Sequence, residues 1–420
     1  MRFDAAVLRS YEDPFTVEEV VLHTGPAEDE VLVRIAGGRR WRPQTPGPPP
    51  PGRAPPPPGH GHDGAPRATG DPDTASAGVL HPGPAGSSVV VRIAGSGMCR
   101  TDLAVRRSAG RSPLPAVLGH EGAGVVVETG GPATGLSPGD HVVLSFDSCG
   151  RCRSCLGASP AYCDTFAALN LFGGRPGNAD RFTDAAGGAL APRWFGQSSF
   201  AAYALVPARN AVRVDPSLPL ELLGPLGCGF LTGAGAVLNS FGAGPGDTVV
   251  VLGAGAVGLA AVMAAAAAGA VTVAVDRHPE RLALAEEFGA APVHGDSPGL
   301  PDRVRRLTDG GARYALDTTG SVRLINDALR GLRPMGRLGL VARLHTALAL
   351  EPGTLDRGRS ISHICEGDAV PALMVPRLTG LWRASRFPFD RLIRTYPLAE
   401  VNEAERDCEA GRVVKPVLVP

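Results

Sequence analysis

Two hydrophobic patterns divide this chain. Short β-type runs open it, Ala5-Ala6-Val7-Leu8 and then Val31-Leu32-Val33-Arg34-Ile35, and residues 96–229 continue with short strands between glycine and proline turns. From residue 230 to 365 strand and helix patterns alternate. Val249–Leu252 reads as a strand, an alanine-rich helix follows, Val271–Val275 is a second strand, and Glu280–Phe288 has helical spacing. That alternation predicts an α/β protein whose parallel sheet is linked by crossover helices. Residues 366–420 return to mixed structure.

One segment fits neither pattern. Between Gly38 and Pro84 the chain holds two four-proline runs, Pro48–Pro51 and Pro55–Pro58, and almost no aliphatic residues. Such a composition buries too little surface to offset its ordering entropy, so residues 38–84 are expected to be a disordered insertion. Its flanks repeat. Residues 25–37, GPAEDEVLVRIAG, recur as residues 83–95, GPAGSSVVVRIAG, with nine of thirteen positions identical at an offset of 58. Removing one period joins Val31–Gly37 to Ser96 and leaves a continuous sequence. The repeat points to an in-frame insertion that split one strand and left two copies competing for a single place in a sheet. The copy left out must be solvated, or it becomes an edge-strand liability.

Composition narrows the class. The 41 basic and 41 acidic residues cancel, which removes any electrostatic case for nucleic acid or an anionic membrane. Nearly all the basic residues are arginine, with a single lysine at Lys415, and with the abundant Ala, Gly and Pro that bias reads as GC-rich coding and not as a functional basic patch. Thr248 to Val275 carries no charge over 28 residues, but Gly253, Gly255, Gly258 and Gly269 interrupt it. A buried strand–turn–helix–strand accounts for those glycines better than a membrane span. The opening Met1-Arg2-Phe3-Asp4 has no apolar signal region, so a cytoplasmic protein is expected. In that compartment eight cysteines point to metal ligation before disulfides.

The strand Val249–Leu252 runs into Gly253-Ala254-Gly255-Ala256-Val257-Gly258, a G-x-G-x-x-G turn at the mouth of a helix. In such a turn Gly253 allows the tight bend, Gly255 lets a pyrophosphate approach and Gly258 lets helix and strand pack closely. The next strand ends in Asp276, 23 residues after Gly253. A carboxylate there accepts from ribose hydroxyls and repels a 2′-phosphate, which favours NAD over NADP, although Arg277 stands beside it.

Cys149, Cys152, Cys155 and Cys163 fall within fifteen residues. Four thiolates close a tetrahedral zinc site with no open position, the mark of a structural metal. Iron–sulfur ligation uses a similar start, but its fourth cysteine follows after three residues and precedes proline, whereas here the gap is seven and Asp164 follows. Of the remaining cysteines, Cys99 lies in GMCRTD and Cys228 in GCG, while His120 lies in GHEG. A catalytic zinc needs three protein ligands and an open position, and spacing alone does not assemble these three.

Taken in order, GMCRTD, GHEGAGVV, the four-cysteine run, GCG and GAGAVG with its downstream Asp276 resemble the zinc-containing medium-chain alcohol dehydrogenases. Within that superfamily LPAVLGHEGAGVV, LSFDSCG, FGQSSFA, ELLGPLGCG and EGDAVP resemble the aryl-alcohol group. The resemblance covers nearly the whole chain outside residues 38–95. It implies a GroES-like, mostly-β catalytic domain, residues 1–229 and 366–420, around a Rossmann NAD-binding domain, residues 230–365, with a structural zinc lobe at 149–163. It implies two zinc ions per chain, NAD as cofactor, an alcohol or aldehyde as substrate, and a homodimer or homotetramer. Carried over by position, Cys99, His120 and Cys228 are the catalytic zinc ligands, Glu121 and Asp102 are supporting carboxylates, and Asp102 orients His120. Thr101 takes the substrate proton, Arg100 meets the pyrophosphate, Thr232 and Val257 flank the nicotinamide, and Cys149, Cys152, Cys155 and Cys163 hold the second zinc.

Three features depart from that pattern. Ala104 stands where some relatives place a relay histidine, Val341-Ala342-Arg343-Leu344 replaces a small Val-Gly-x-Pro turn, and the insertion ends just before Cys99. The expected reaction is oxidation of a primary, benzyl-type alcohol to its aldehyde. Two rivals are a zinc dehydrogenase for an aliphatic or thiol-adduct alcohol, and a zinc-structured, NAD-binding protein whose turnover the insertion has abolished. A zinc-free, quinone-reductase-like activity is disfavoured by the presence of Cys99, His120 and Cys228.

Overall fold

A computed structural model describes residues 1–23, 88–107, 112–130, 135–172, 182–191, 194–344 and 346–420. The predicted disordered insertion at 38–84 and the first copy of the repeat lie outside the described residues. The second copy is the spine of a sheet. Ser88–Gly97 pairs with Gly122–Thr129, with Tyr203–Pro207 and with the C-terminal strand Lys415–Val419, all antiparallel. Ile393–Pro397, His141–Leu144 and Ala211–Arg213 complete seven strands. Near-continuous burial along VVVRIAG suits this central place. A four-stranded antiparallel sheet, in the order Ala116–Val117, Arg2–Leu8, Thr16–Leu22 and Phe182–Asp184, carries the N-terminus.

The second half is a six-stranded parallel sheet. Its order is Ala290–His294, Val271–Asp276, Thr248–Leu252, Ala312–Asp317, Leu332–Leu340 and Ser360–His363. In chain order this is 3-2-1-4-5-6, the doubly wound arrangement that binds dinucleotides at the strand carboxyl ends. The uncharged stretch from Thr248 to Val275 is resolved as strand, turn, helix and strand, and its helix Ala256–Ala268 is buried from Gly258 to Ala265. A helix apolar on all sides belongs in a core. No helix among the described residues is long and apolar enough to cross a membrane.

Where the turn meets this helix, two glycines are required by packing. Gly253 has φ 93°, and a Cβ there would stand 2.4 Å from Thr318 Oγ1. A Cβ on Gly258 would lie 1.8 Å from the Gly253 carbonyl oxygen. Gly255 differs, since a Cβ there would meet nothing within 4 Å. The protein's own packing does not demand glycine at 255, and the space beside it is open to a ligand.

The helix Pro371–Arg383 shares its core with the segment after Cys228. Met374, Val375 and Leu378 cluster with Phe230, Leu231 and Leu259. Only from Ile393 onward does the chain rejoin the sheet of Ser88–Gly97.

Candidate active site

Three strand ends and turns deliver one cluster. The central strand stops at Gly97, two residues before Cys99, and the strand Gly122–Thr129 begins two residues after His120. A 3-10 turn, Gly224–Gly227, presents Cys228 at the N-terminus of the helix Gly229–Gly235. One ligand atom each from Cys99, His120, Glu121 and Cys228 lies within 4.8 Å of every other. The insertion therefore leaves Cys99 in register with the other sequence-predicted ligands.

The donor set suits zinc. His120 Nδ1 stands 2.7 Å from Asp102 Oδ1, while its Nε2 is buried without a hydrogen-bond partner. A buried imidazole nitrogen left unpaired is costly unless something coordinates it. Two thiols and one imidazole this close fit an ion held at about 2.0–2.3 Å from each ligand. The hydrogen bond with Cys228 pulls the Cys99 thiol well below the usual range, and His120 adds to it against the effect of burial. The same hydrogen bond, helped by burial, pushes the Cys228 thiol well up, so of the two it is Cys99 that favours the thiolate, the form that binds metal.

Asp102 is fully buried and satisfies four donors. They are Cys99 N–H at 3.1 Å, Gly119 N–H at 3.2 Å, His120 Nδ1 and Trp194 Nε1 at 2.8 Å. Phe195 stacks on His120 with ring centroids 4.4 Å apart. Gln197 donates to the His120 carbonyl at 2.8 Å and to the Ser145 carbonyl at 3.2 Å, and accepts from Gly122 N–H at 3.1 Å. The segment FGQSSFA, quoted only as a resemblance, is thus the wall behind the histidine.

Glu121 lies beneath the cluster and is paired with Lys415, whose Nζ stands 3.0 and 2.9 Å from its two carboxylate oxygens. The lysine is 2 % exposed and also donates to the Met98 carbonyl. Burial opposes its charge most strongly of any one effect, but the Glu121 carboxylate together with the Cys99 and Cys228 sulfurs outweighs it and holds the ammonium above the ordinary lysine range. Nothing in the sequence pointed to this role for its lone lysine.

A carboxylate absent from the predicted set also faces the centre. Glu366 Oε2 accepts from Thr232 Oγ1 at 3.2 Å. Burial pushes its carboxyl up to about 7, with the charge of His120 working against that rise. The sequence signal for it was the motif EGDAVP, which carried no role. Thr101 Oγ1 lies 3.7 Å from Cys99 Sγ, and Arg100 and Ala104 are exposed.

The helix Gly229–Gly235 links this cluster to the dinucleotide turn. A Cβ on Gly233 would stand 2.0 Å from the Val257 carbonyl oxygen, so Thr232 and Val257 belong to touching segments. Asp276, at the end of its strand, accepts from Ala254 N–H at 2.7 Å and from His278 N–H at 2.9 Å. Past the sheet, Val341 N–H donates to the Asp317 carbonyl at 3.0 Å, and the Arg343 carbonyl packs on Gly320.

The second cluster gathers Cys149, Cys152, Cys155 and Cys163, again with ligand atoms within 4.8 Å of one another. Backbone N–H groups point at its sulfurs: Cys152 N–H and Arg151 N–H at Cys149 Sγ, at 3.3 and 3.4 Å, and Cys149 N–H at Cys163 Sγ, at 3.2 Å. Backbone N–H groups of Asp164 and Cys155 bring the Cys152 thiol down to about 6. Cys365 and Cys408 join neither cluster among the described residues.

Residues 85–216 match the alcohol dehydrogenase GroES-like domain and residues 256–379 the zinc-binding dehydrogenase family. A geraniol dehydrogenase of Castellaniella defragrans is 44% identical over 345 residues, covering 80% of this chain and 91% of the relative. The chain belongs to the zinc-containing medium-chain alcohol dehydrogenases. Two solved structures of this family resemble it over its full length. An alcohol dehydrogenase zinc-binding domain protein from Burkholderia ambifaria has TM-score 0.83 at 38% identity, covering 100% of this chain and 99% of that one. Benzyl alcohol dehydrogenase from Acinetobacter calcoaceticus has TM-score 0.82 at 32% identity, with the same coverage. The GroES-like and Rossmann fold class is that of this dehydrogenase, and its activity is alcohol oxidation, with zinc and NAD(H) the general cofactors of the family.

Proposed function

We propose that this dehydrogenase oxidises primary alcohols whose carbinol carbon is bonded to an unsaturated carbon, benzyl-type alcohols among them. The observation that carries the reading is the Cys99–His120–Cys228 cluster, with His120 Nε2 unpaired, at the N-terminus of the helix that touches the dinucleotide turn. The names of the relatives support the substrate class, since geraniol and benzyl alcohol share that feature. The aromatic wall of Phe195, Trp194 and Phe166 near His120 supports it too.

In this reading Cys99, His120 and Cys228 hold a catalytic zinc, and Cys149, Cys152, Cys155 and Cys163 hold a structural one. A zinc held there would supply Lewis acidity toward the alcohol oxygen, and NAD at the dinucleotide turn would supply the hydride acceptor. Asp102 accepts the Nδ1 proton of His120, which fixes the tautomer that leaves Nε2 free to coordinate. Thr101 Oγ1 takes the proton leaving the alcohol. With Ala104 beyond it the proton passes to water, a route supported by the exposure of Ala104. Arg100 meets the pyrophosphate, and Thr232 and Val257 flank the nicotinamide. We place residues 1–229 and 366–420 in the catalytic domain and 230–365 in the NAD-binding domain; the return of Ile393–Pro397 and Lys415–Val419 to the first sheet supports this division. The family resemblance supports a homodimer or homotetramer working in the cytoplasm.

Initial rates of NAD reduction with benzyl alcohol, geraniol and butan-1-ol test the substrate class. Benzyl alcohol and geraniol should exceed butan-1-ol at least tenfold in kcat/KM, about the discrimination one apolar pocket supplies, and a zinc chelator should stop all three. A preference for butan-1-ol, or turnover that resists chelation, overturns the reading. NADH binding without turnover of any alcohol favours the inactive alternative.

The cofactor preference rests on Asp276. Asp276→Ser should cut the NAD-over-NADP ratio of kcat/KM by at least about tenfold, because a carboxylate facing a phosphate costs several kcal/mol. An unchanged ratio would place the discrimination elsewhere. Since Asp276 also caps Ala254 and His278, the variant should unfold at lower urea than the parent.

A further inference from the structure

The four-cysteine lobe reaches the reaction centre through one side chain. Tyr162, next to Cys163, donates from its hydroxyl to Asp368 Oδ1 at 2.5 Å, and the Tyr162 hydroxyl oxygen in turn accepts from Cys365 N–H at 3.3 Å. These bonds fall on either side of Glu366. Glu366, Gly367 and Asp368 have φ of 47°, 64° and 50°, a left-handed run that non-glycine residues keep only when the surroundings hold it.

Three contacts hold it. Thr232 Oγ1 donates to Glu366, Asn239 Nδ2 donates to the Gly367 carbonyl at 3.2 Å, and Tyr162 holds Asp368. The first two come from the segment after Cys228, against which Gly367 is flush: a Cβ there would stand 2.8 Å from the Leu231 and Thr232 carbonyl oxygens. Only the third comes from the lobe. Without it the outer end of the turn has no side-chain tether among the hydrogen bonds of the described residues, and the left-handed run is free to relax.

We propose that Tyr162 is a positioning residue for alcohol oxidation, fixing the Glu366–Asp368 turn so that Glu366 stays bonded to Thr232 beside the nicotinamide. This rests on the assignment of the Cys99–His120–Cys228 cluster and Thr232 to the catalytic centre. It gives the four-cysteine lobe a part in catalysis beyond its own folding, because the lobe sets where Tyr162 stands.

The test is Tyr162→Phe in the full chain, which removes one hydroxyl and keeps all four cysteines. NADH affinity and kcat should each fall about tenfold, in line with one hydrogen bond to a charged group, while zinc content and melting temperature stay near the parent's. Asp368→Ala, which removes the bond from its other side, should produce the same change. In a Glu366→Gln background, adding Tyr162→Phe should cost little more, because both act on one contact. Parent-like NADH binding and kcat in Tyr162→Phe overturn the proposal, as do additive losses or a loss that follows zinc or melting temperature. If the parent chain oxidises no alcohol the reading of the centre fails, and the NADH titrations still decide whether Tyr162 positions the turn.

Discussion

Asp102→Ala should cost roughly 4 kcal/mol of folding stability and weaken zinc binding about 10- to 100-fold. The carboxylate is fully buried and satisfies Cys99 N–H, Gly119 N–H, His120 Nδ1 and Trp194 Nε1. Deleting it strands four donors at once. Each unpaired buried donor costs about 1–3 kcal/mol, and the sum falls short of additive because neighbours relax and water can enter. The loss in metal affinity has a separate cause. Without an acceptor at Nδ1 the imidazole is free to place its proton on Nε2, the nitrogen that must be bare to coordinate. Asp102→Asn separates the two effects. It keeps the volume and one acceptor oxygen but removes the carboxylate charge, so it should retain more stability than Asp102→Ala, and any loss of zinc affinity then reads the charge at Nδ1 and not the mere presence of an acceptor. Urea unfolding and zinc titration read them independently. If Asp102→Ala binds zinc as tightly as the parent, the stacked Phe195 ring, and not Asp102, orients the histidine.

The same residues show what was legible in the sequence. The dinucleotide turn could be read directly, because Gly253, Gly255, Gly258 and Asp276 lie within one strand–helix–strand unit and each has a local steric or electrostatic reason to be there. The four-cysteine lobe was legible for the same reason of proximity. Cys99, His120 and Cys228 were not, since nothing local says that turns so far apart in the chain converge; the family resemblance supplied that. Beyond the resemblance, the misses share one cause. Trp194 meets Asp102 across 92 residues, Thr232 meets Glu366 across 134, and Lys415 meets Glu121 across 294. A hydrogen bond over such a separation depends on sheet closure and leaves no periodicity. The repeated strand was ambiguous in another way. Both copies carry VRIAG, and only the path from Gly97 to Cys99, where the second copy runs directly into a ligand, distinguishes them.

Lys415→Met should destabilise the fold by roughly 3–5 kcal/mol, the cost of leaving a buried charge without its partner. Lys415 donates to the Met98 carbonyl, beside Cys99, and to both oxygens of Glu121, beside His120. Glu121 Oε1 in turn accepts from Gly229 N–H at 3.1 Å, beside Cys228. One buried ion pair therefore places a bond next to each of the three candidate ligands and ties the C-terminal strand to them. Methionine matches the lysine stem in volume, so little of the loss comes from packing. The bare Glu121 carboxylate then has two ways to lower its energy: it can take up a proton, or it can turn toward the metal whose ligands it already adjoins. Both leave zinc bound while competing with the alcohol or shifting the ligands, so kcat/KM should fall further than zinc content. Pairing the change with Glu121→Gln removes the stranded charge and should recover much of the stability, since a buried ion pair replaced on both sides is often near neutral. Activity should not recover with it, because the bonds to Met98 and Gly229 are lost or weakened. If the double variant is as unstable as Lys415→Met alone, the lysine acts through its stem and the Met98 carbonyl, and the ion pair is incidental.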